Sequence, residues 1–374
     1  MIAEVLARDQ LQSRALSLGF SLFGVARAQD APGFDNLVHW IASGYSGEMA
    51  YIPKRLQAYR NPNSVLAGCK SVVMLGMPYS ANPLTTRSKK TIAANLVNAE
   101  NVNLESADCK IGNYAVGQVD YHDLIRHRLN QLSSVLKTMY PGSETRGVVD
   151  TAPLLERDFA QIAGIGWIGK NTLLLNRTQG SYFFLAALLT NIEIAADNPF
   201  ESDHCGSCTA CLDACPTSAF VGPRVLDASK CISYLTIEYR GHIPGELSEK
   251  MQNWIFGCDA CQMVCPWNRK ADVEVQPELQ PSSLEDKTSL EHWLNMDEET
   301  FRKRYRNTPF WRTKLKGMKR NAMIAAANTN RIDLVAIIES ISTDNDEVLR
   351  ATCEWCLSKI KNGTQSGPSP GNDP

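Results

Sequence analysis

The chain has 374 residues, 44% of them hydrophobic and 21% charged, with a formal net charge of -2, which is enough apolar mass for a sizeable core spread over two or three domains. No apolar run reaches the length of about eighteen residues that a membrane helix needs, and the opening MIAEVLARDQLQSRALSLGF has the pattern of an amphipathic helix, not of a signal peptide. The composition therefore predicts a cytoplasmic protein without a membrane partner, in which twelve cysteines read as metal ligands and free thiols, since thiols stay reduced there.

In chain order, residues 1–195 alternate apolar runs with helical patterns; the runs are SLFGVA (21–26), SVVMLGMPY (71–79), TRGVVD (145–150) and SYFFLAALLT (181–190). Such alternation predicts an α/β domain. Residues 80–110 are polar and unpatterned and read as a long surface loop. A helix follows Asp120, where Leu124, Ile125, Leu129, Leu132, Val135, Leu136 and Met139 recur at steps of three and four. Residues 196–270 hold eight of the twelve cysteines and make a second domain. Residues 271–362 begin acidic and turn basic in RKRYRNTPFWRTKLKGMKR (302–320), with nine positive residues and no acidic one. Three helical patterns follow, in which Arg320 of KRNAMIAAAN and Arg350 of LRATCEWCLS stand thirty residues apart and suggest stacked helix pairs of the HEAT type. Residues 363–374 read as a disordered tail. The expected fold is an α+β multidomain chain.

The cysteines carry the strongest signal. In HCGSCTACLDACPTSAF (204–220), Cys205, Cys208, Cys211 and Cys215-Pro216 match the bacterial ferredoxin run, in which three cysteines bind one [4Fe–4S] cluster and the fourth reaches a second. CISYLTIE at 231 and GCDACQMVCPWN at 257–268 supply the remainder. Cys231, Cys258 and Cys261 join Cys215 on the second cluster, and Cys265-Pro266 returns to the first with Cys205, Cys208 and Cys211. Two structural zinc ions are the alternative use of eight cysteines, but a duplicated CxxxCP with crossed ligands is not a zinc-finger spacing. Cys353 and Cys356 lie on a helical pattern and, like the isolated Cys69 and Cys109, read as buried free thiols.

Two clusters side by side conduct single electrons, so the domain before them should hold a terminus. No GxGxxG follows a predicted strand, and a dinucleotide site is not indicated. Two segments stand out, YAVGQVDYH (114–122) and VDTAPLLERDFAQIAGIGWIGKNTLLLN (149–176). Asp120 is placed to cap the helix that starts at Tyr121. Asp150 ends an apolar strand just before Thr151 and Pro153 open a helix, a position suited to a ligand cleft in an α/β domain. In the basic stretch, Tyr305, Phe310 and Trp311 stand among the charges and offer a stacking surface beside phosphate contacts, with a solvated helix face as the alternative.

Taken in order, YAVGQVDYH, VDTAPLLER, GWIGKN, the two cysteine segments and RNAMIAAAN resemble the epoxyqueuosine reductase family over roughly residues 15–360. The resemblance implies that residues 1–195 bind cobalamin and substrate, that electrons from a low-potential donor pass through the two [4Fe–4S] clusters to cobalt, and that a monomer reduces epoxyqueuosine to queuosine at the wobble position of tRNA. That chemistry needs two electrons, delivered singly, and a proton for the developing alkoxide. By family position the proton donor is Asp150, whose pKa a desolvated cleft would raise toward neutrality. Asp120, Tyr121 and His122 match the family's DYH and would line the substrate side of the corrin. Between Gly117 and Asp120 this chain has both Gln118 and Val119, one residue more than the family pattern. Arg60, Lys170 and Ser233 are the further cofactor-binding candidates, each with an ordinary structural alternative as surface residue, solvated turn or cap. Residues 271–362 would bind tRNA. Two other classes of function stay open at this point: a reductive dehalogenase-like enzyme acting on a small molecule, and an electron-transfer module with a helical docking tail.

Overall fold

The computed structural model describes residues 2–79, 108–269, 271, 275–281, 284–341 and 345–365. The expected surface loop lies outside them apart from 108–110, as does the expected tail apart from 363–365. The described residues fall into two compact units, each discontinuous in sequence: one within Met1–Arg87, Gly117–Ser229 and Asp259–Pro281, the other within Ser88–Val116, Lys230–Cys258 and Ser282–Pro374.

In the first unit the four apolar runs become strands β1 (Leu22–Arg27), β2 (Ser71–Pro78), β3 (Thr145–Val148) and β4 (Phe183–Thr190). They form one sheet in the order β1-β2-β4-β3, and every neighbouring pair is antiparallel. This corrects the α/β expectation, which implies parallel neighbours. The sequence looked the same because helices cover both faces, so β2 and β4 are apolar on both sides, as strands of a parallel sheet are. Helices α1 (Ile2–Ser17) and α2 (Tyr121–Met139) pack on each other, and α2 lies on β3 and β4. Helix α3 (Glu156–Ile162) packs on β1, β2 and β4, burying Phe159 and Ala160 among Leu22, Ala26, Met74 and Ala187.

The segment after β3 departs from the expectation in a way that matters for the site. The strand ends at Val148, and the next helix opens at Glu156, not at Thr151 or Pro153. Between them the Thr151 N–H donates to the Val149 carbonyl in a three-residue turn whose central residue, Asp150, has φ +53°. Such a turn is strained for a residue with a side chain and persists where its surroundings hold it.

The second unit is built around helix α4 (Lys314–Asn328), which contacts the helices Leu290–Asn295 and Glu347–Gln365 and the strand Trp254–Phe256. Within α4, Arg320 is 1% exposed and donates to the carbonyls of Leu235, Tyr239 and Gly241, while Asn321 donates to those of Thr236 and Ile255. The RNAMIAAAN segment is therefore a polar clamp on residues 235–255, and Arg320 does not face nucleic acid. The thirty-residue repeat does not hold either, because Arg350 is exposed in the first turn of its helix whereas Arg320 is buried in the middle of α4. Cys353 and Cys356 are fully buried, as read from the sequence, as are Cys69 and Cys109.

Where β1 meets the end of α3, a side chain has no room. A Cβ on Gly24 would stand 2.1 Å from the Ala163 carbonyl oxygen, while one on Gly222 would meet nothing within 4 Å. Overpacking of this kind costs about 1–3 kcal/mol. Gly24→Ala should lower the melting temperature by several degrees and Gly222→Ala should leave it unchanged, as thermal unfolding followed by circular dichroism would record.

Candidate active site and cluster ligands

The start of α2 and the turn after β3 bring four of the expected residues together. Asp120 is the N-cap of α2, its carboxylate accepting from the His122 backbone N–H at 2.9 Å. The same carboxylate lies 2.7 Å from His122 Nδ1, and the Asp150 carboxylate lies 3.3 Å from His122 Nε2. The cap reading of Asp120 holds, and the same carboxylate also engages the His122 ring. Tyr121 donates its hydroxyl to Asp150 Oδ2, its ring stacked between Phe184 of β4 and His122 with centroids 3.9 and 4.0 Å away.

An imidazole between two carboxylates keeps its proton. Burial alone would lower His122, but the hydrogen bonds and charges of Asp120 and Asp150 prevail and push it up to about 9. Burial would likewise raise Asp150, and here too the hydrogen bonds from His122 and Tyr121 prevail, holding the carboxyl below its ordinary value. This corrects the expectation that the cleft would make Asp150 itself the stored acid: the proton rests on His122. The Asp150 side chain is nevertheless 46% exposed, so a group crowded enough to be strongly desolvated still has a path to solvent.

Sequence reasoning missed Glu156, the first residue of α3. Its Oε1 accepts from the Asp150 backbone N–H at 3.0 Å, which holds the strained turn. Burial, followed by repulsion from Asp150, pushes its carboxyl up to about 8. The only sequence signal was its place in VDTAPLLER, since a glutamate that opens a helix reads as an ordinary first-turn acid.

The cysteines Cys205, Cys208, Cys211 and Cys265 also converge. Burial pushes the thiols of Cys211 and Cys265 up, and the neighbouring thiols of Cys205 and Cys208 act on both in the same direction, so the four are electrostatic neighbours. Four cysteine sulfurs from two sequence-distant segments are the donor set that a [4Fe–4S] cluster takes. The hairpin formed by Trp167–Ile168 and Leu174–Leu175 braces them: the Trp167 indole N–H donates to Cys205 Sγ at 3.5 Å, and Lys170 Nζ donates to the carbonyls of Gly206 and Cys208 at 2.7 and 2.9 Å. Lys170, expected at the corrin, is thus committed to the cluster loop. Trp167, Phe200 and Trp267 shield Cys205 and Cys265 from water. Cys215 Sγ accepts from the Ala219 N–H at 3.3 Å. Cys261 belongs to the same unit as these; Cys231, the N-cap of Ile232–Ile237, and Cys258 belong to the second.

Arg60 and Ser233 are the other two candidates. Arg60 pairs with Asp30 at 3.1 Å and lies over the Phe34 ring. Ser233 is in the second unit, inside the helix that Cys231 caps, so it is not itself a cap. In the basic stretch, Tyr305 and Phe310 are buried against Trp293 and offer no stacking surface, and Lys314 lies 3.9 Å over the Trp311 ring. Arg304, Arg312 and Lys316 pair with Asp286, Glu238 and Asp346. Arg302, Lys303 and Arg306 are exposed and have no ion-pair partner among the described residues.

Comparison with known proteins places this geometry. The family described as "Epoxyqueuosine reductase QueG, DUF1730" matches residues 60–151, and the 4Fe-4S double cluster binding domain matches residues 204–268. The chain is 39% identical to the epoxyqueuosine reductase of Pseudomonas aeruginosa over 91% of each chain. It belongs to the epoxyqueuosine reductase family. The family's enzyme from Vibrio cholerae is 36% identical over 93% of this chain and 90% of its own. An epoxyqueuosine reductase solved with an epoxyqueuosine-modified tRNA-Tyr stem loop superposes with a TM-score of 0.81 at 29% identity, covering 96% of this chain and 94% of that one. The Bacillus subtilis epoxyqueuosine reductase, with a catalytic loop swung out of the active site, gives a TM-score of 0.81 at 30% identity over 94% of this chain and 90% of its own. The double-cluster match sets the zinc alternative aside. Among the described residues no helix is long and apolar enough to cross a membrane.

The charge arrangement of this family member predicts its own titration. By NMR the His122 ring should titrate near 9 in the wild type, where its folded value stands, and at least about one unit lower in Asp150→Asn, which removes one of its two carboxylates. Because that value is raised above the ordinary 6.5, the stability His122 contributes is full below pH 6.5 and is lost as pH rises through 9. His122→Gln should therefore destabilise the protein more at pH 6 than at pH 10 in urea titrations.

Proposed function

We propose that this chain reduces epoxyqueuosine to queuosine at the wobble position of tRNA, taking electrons from a low-potential donor through two [4Fe–4S] clusters on the eight cysteines and then cobalamin. The observation that carries the reading is the carboxylate of Asp150, part-exposed and held ionised between a tyrosine hydroxyl and a protonated histidine. Family membership and the relative solved with a modified tRNA stem loop support the substrate. An enzyme acting on tRNA with reduced thiolates belongs in the cytoplasm.

Removing an epoxide oxygen as water takes two electrons and two protons: both C–O bonds break, a C=C bond forms, and the oxygen is protonated twice. Cobalamin, when bound, would supply the low-potential cobalt that gives up the electrons. A part-exposed carboxylate carrying a tyrosine hydroxyl and an imidazolium fits the chemistry such a cofactor needs beside it, with Tyr121, His122 and Asp150 on its substrate side. The chain's own residues account for the protons. His122 holds the first at neutral pH and passes it through Asp150, while Asp120 fixes the ring by its other nitrogen. Glu156, protonated below about pH 8, holds the second beside Asp150. Exposed Arg302, Lys303 and Arg306 are the charges available to pair with tRNA phosphates.

In single-turnover assays with chemically reduced, cobalamin-loaded enzyme, Asp150→Asn should slow epoxide reduction by about 10²-fold or more, the scale for losing a general acid, while iron content and tRNA binding persist. The wild-type rate should fall as pH rises past about 8, where Glu156 loses its proton. Unimpaired turnover in the variant would remove Asp150 from the proton path.

A further inference from the structure

Near the cluster cysteines of the first unit lies a hydroxyl that the protein itself does not satisfy. Tyr182, at the entrance to β4, is 1% exposed, and its phenol oxygen makes no hydrogen bond. The polar groups around it are engaged with one another. Gln262 Nε2 donates to the Tyr79 hydroxyl at 3.3 Å and to Ser181 Oγ at 3.0 Å, and the Asn268 side chain binds the Ser181 N–H and hydroxyl and the Gln262 carbonyl. Tyr79 packs edge-on against the Tyr182 ring, with centroids 5.8 Å apart. The charged forms close enough to act on the Tyr182 hydroxyl are Asp259, Tyr79, Cys261 and Cys265. Asp259 is 2% exposed and is not hydrogen-bonded to it.

A buried phenol without a partner is uncommon and destabilising, and each such group in a folded protein calls for an explanation. The groups that act on Tyr182 include the sulfurs of Cys261 and Cys265. Burial in low dielectric beside thiolates keeps the phenol protonated, so it can only act as a donor toward the negative charge that thiolates and cluster sulfides carry. We propose that Tyr182 donates its hydroxyl hydrogen bond to a sulfur of the cluster bound through Cys261 and so raises that cluster's reduction potential. Hydrogen bonds to sulfur stabilise the more negative, reduced cluster and are one of the means by which a protein sets its potential. Tyr182 acts on the electron path through the cluster and touches neither substrate nor the reacting carbon, which makes it a positioning and tuning residue.

The inference rests on the reading that Cys261 and Cys265 bind iron–sulfur clusters, and its test keeps the two apart. Potentiometric titration followed by electron paramagnetic resonance would be run on anaerobically purified wild type, Tyr182→Phe and Tyr79→Phe, with iron and sulfide measured in each. The expected result is full cluster content in all three proteins. One of the two cluster potentials should be lower in Tyr182→Phe by about a tenfold change in the reduction equilibrium, or about 59 mV for one electron, and neither should move in Tyr79→Phe, whose hydroxyl already has Gln262. Full cluster content with both potentials unchanged in Tyr182→Phe would overturn the inference, leaving Tyr182 to turn toward Asp259. Wild-type protein without iron would overturn the cluster reading itself.

Discussion

The imidazolium of His122 between the carboxylates of Asp120 and Asp150 is the interaction on which the site depends. It holds two acids ionised against the burial that by itself would raise them, and it stores a proton that neither acid keeps. It also fixes the strained Asp150 turn from one side, with Tyr121 on the same carboxylate oxygen and Glu156 on the backbone N–H. Neutralising any one of these groups changes the charge of the others, so the site titrates as a set.

A second constraint serves the electrons as this one serves the protons. The thiols of Cys211 and Cys265 are pushed toward protonation by burial and by the neighbouring Cys205 and Cys208, a cost that binding to iron relieves because the ligands are then thiolates on a positive metal. The surrounding chain is arranged for that exchange. Trp167 donates to a sulfur, Lys170 holds the loop carbonyls, and aromatic rings keep water away. One hairpin of the GWIGKN segment therefore does the work that the sequence suggested was directed at the corrin.

What could be read from the sequence follows the range of the interactions involved. Cluster ligation is written in short intervals, and the duplicated CxxxCP made even the distant Cys265 recognisable. The cap at Asp120 and the four strands were legible because capping and apolar runs are local. Strand direction was not, since helices on both faces give β2 and β4 the composition of parallel strands. The protonation state of Asp150 was out of reach because it is set by His122 and Tyr121, 28 and 29 residues earlier, and by the charge of Arg157, seven residues later. Aromatic residues among basic ones looked like an RNA surface, yet Tyr305 and Phe310 turn inward to complete the core of the second unit and leave Arg302, Lys303, Arg306 and Lys314 as exposed charges without an ion pair among the described residues.

The central claim is that these protons and electrons meet at an epoxide carried by tRNA. The most direct measurement is mass spectrometry of nucleosides from tRNA of cells that lack this protein, beside the same cells carrying it again on a plasmid. The account predicts epoxyqueuosine in place of queuosine in the first and queuosine restored in the second. Unchanged queuosine in the deletion strain, or epoxyqueuosine that persists when the protein is returned, would contradict it.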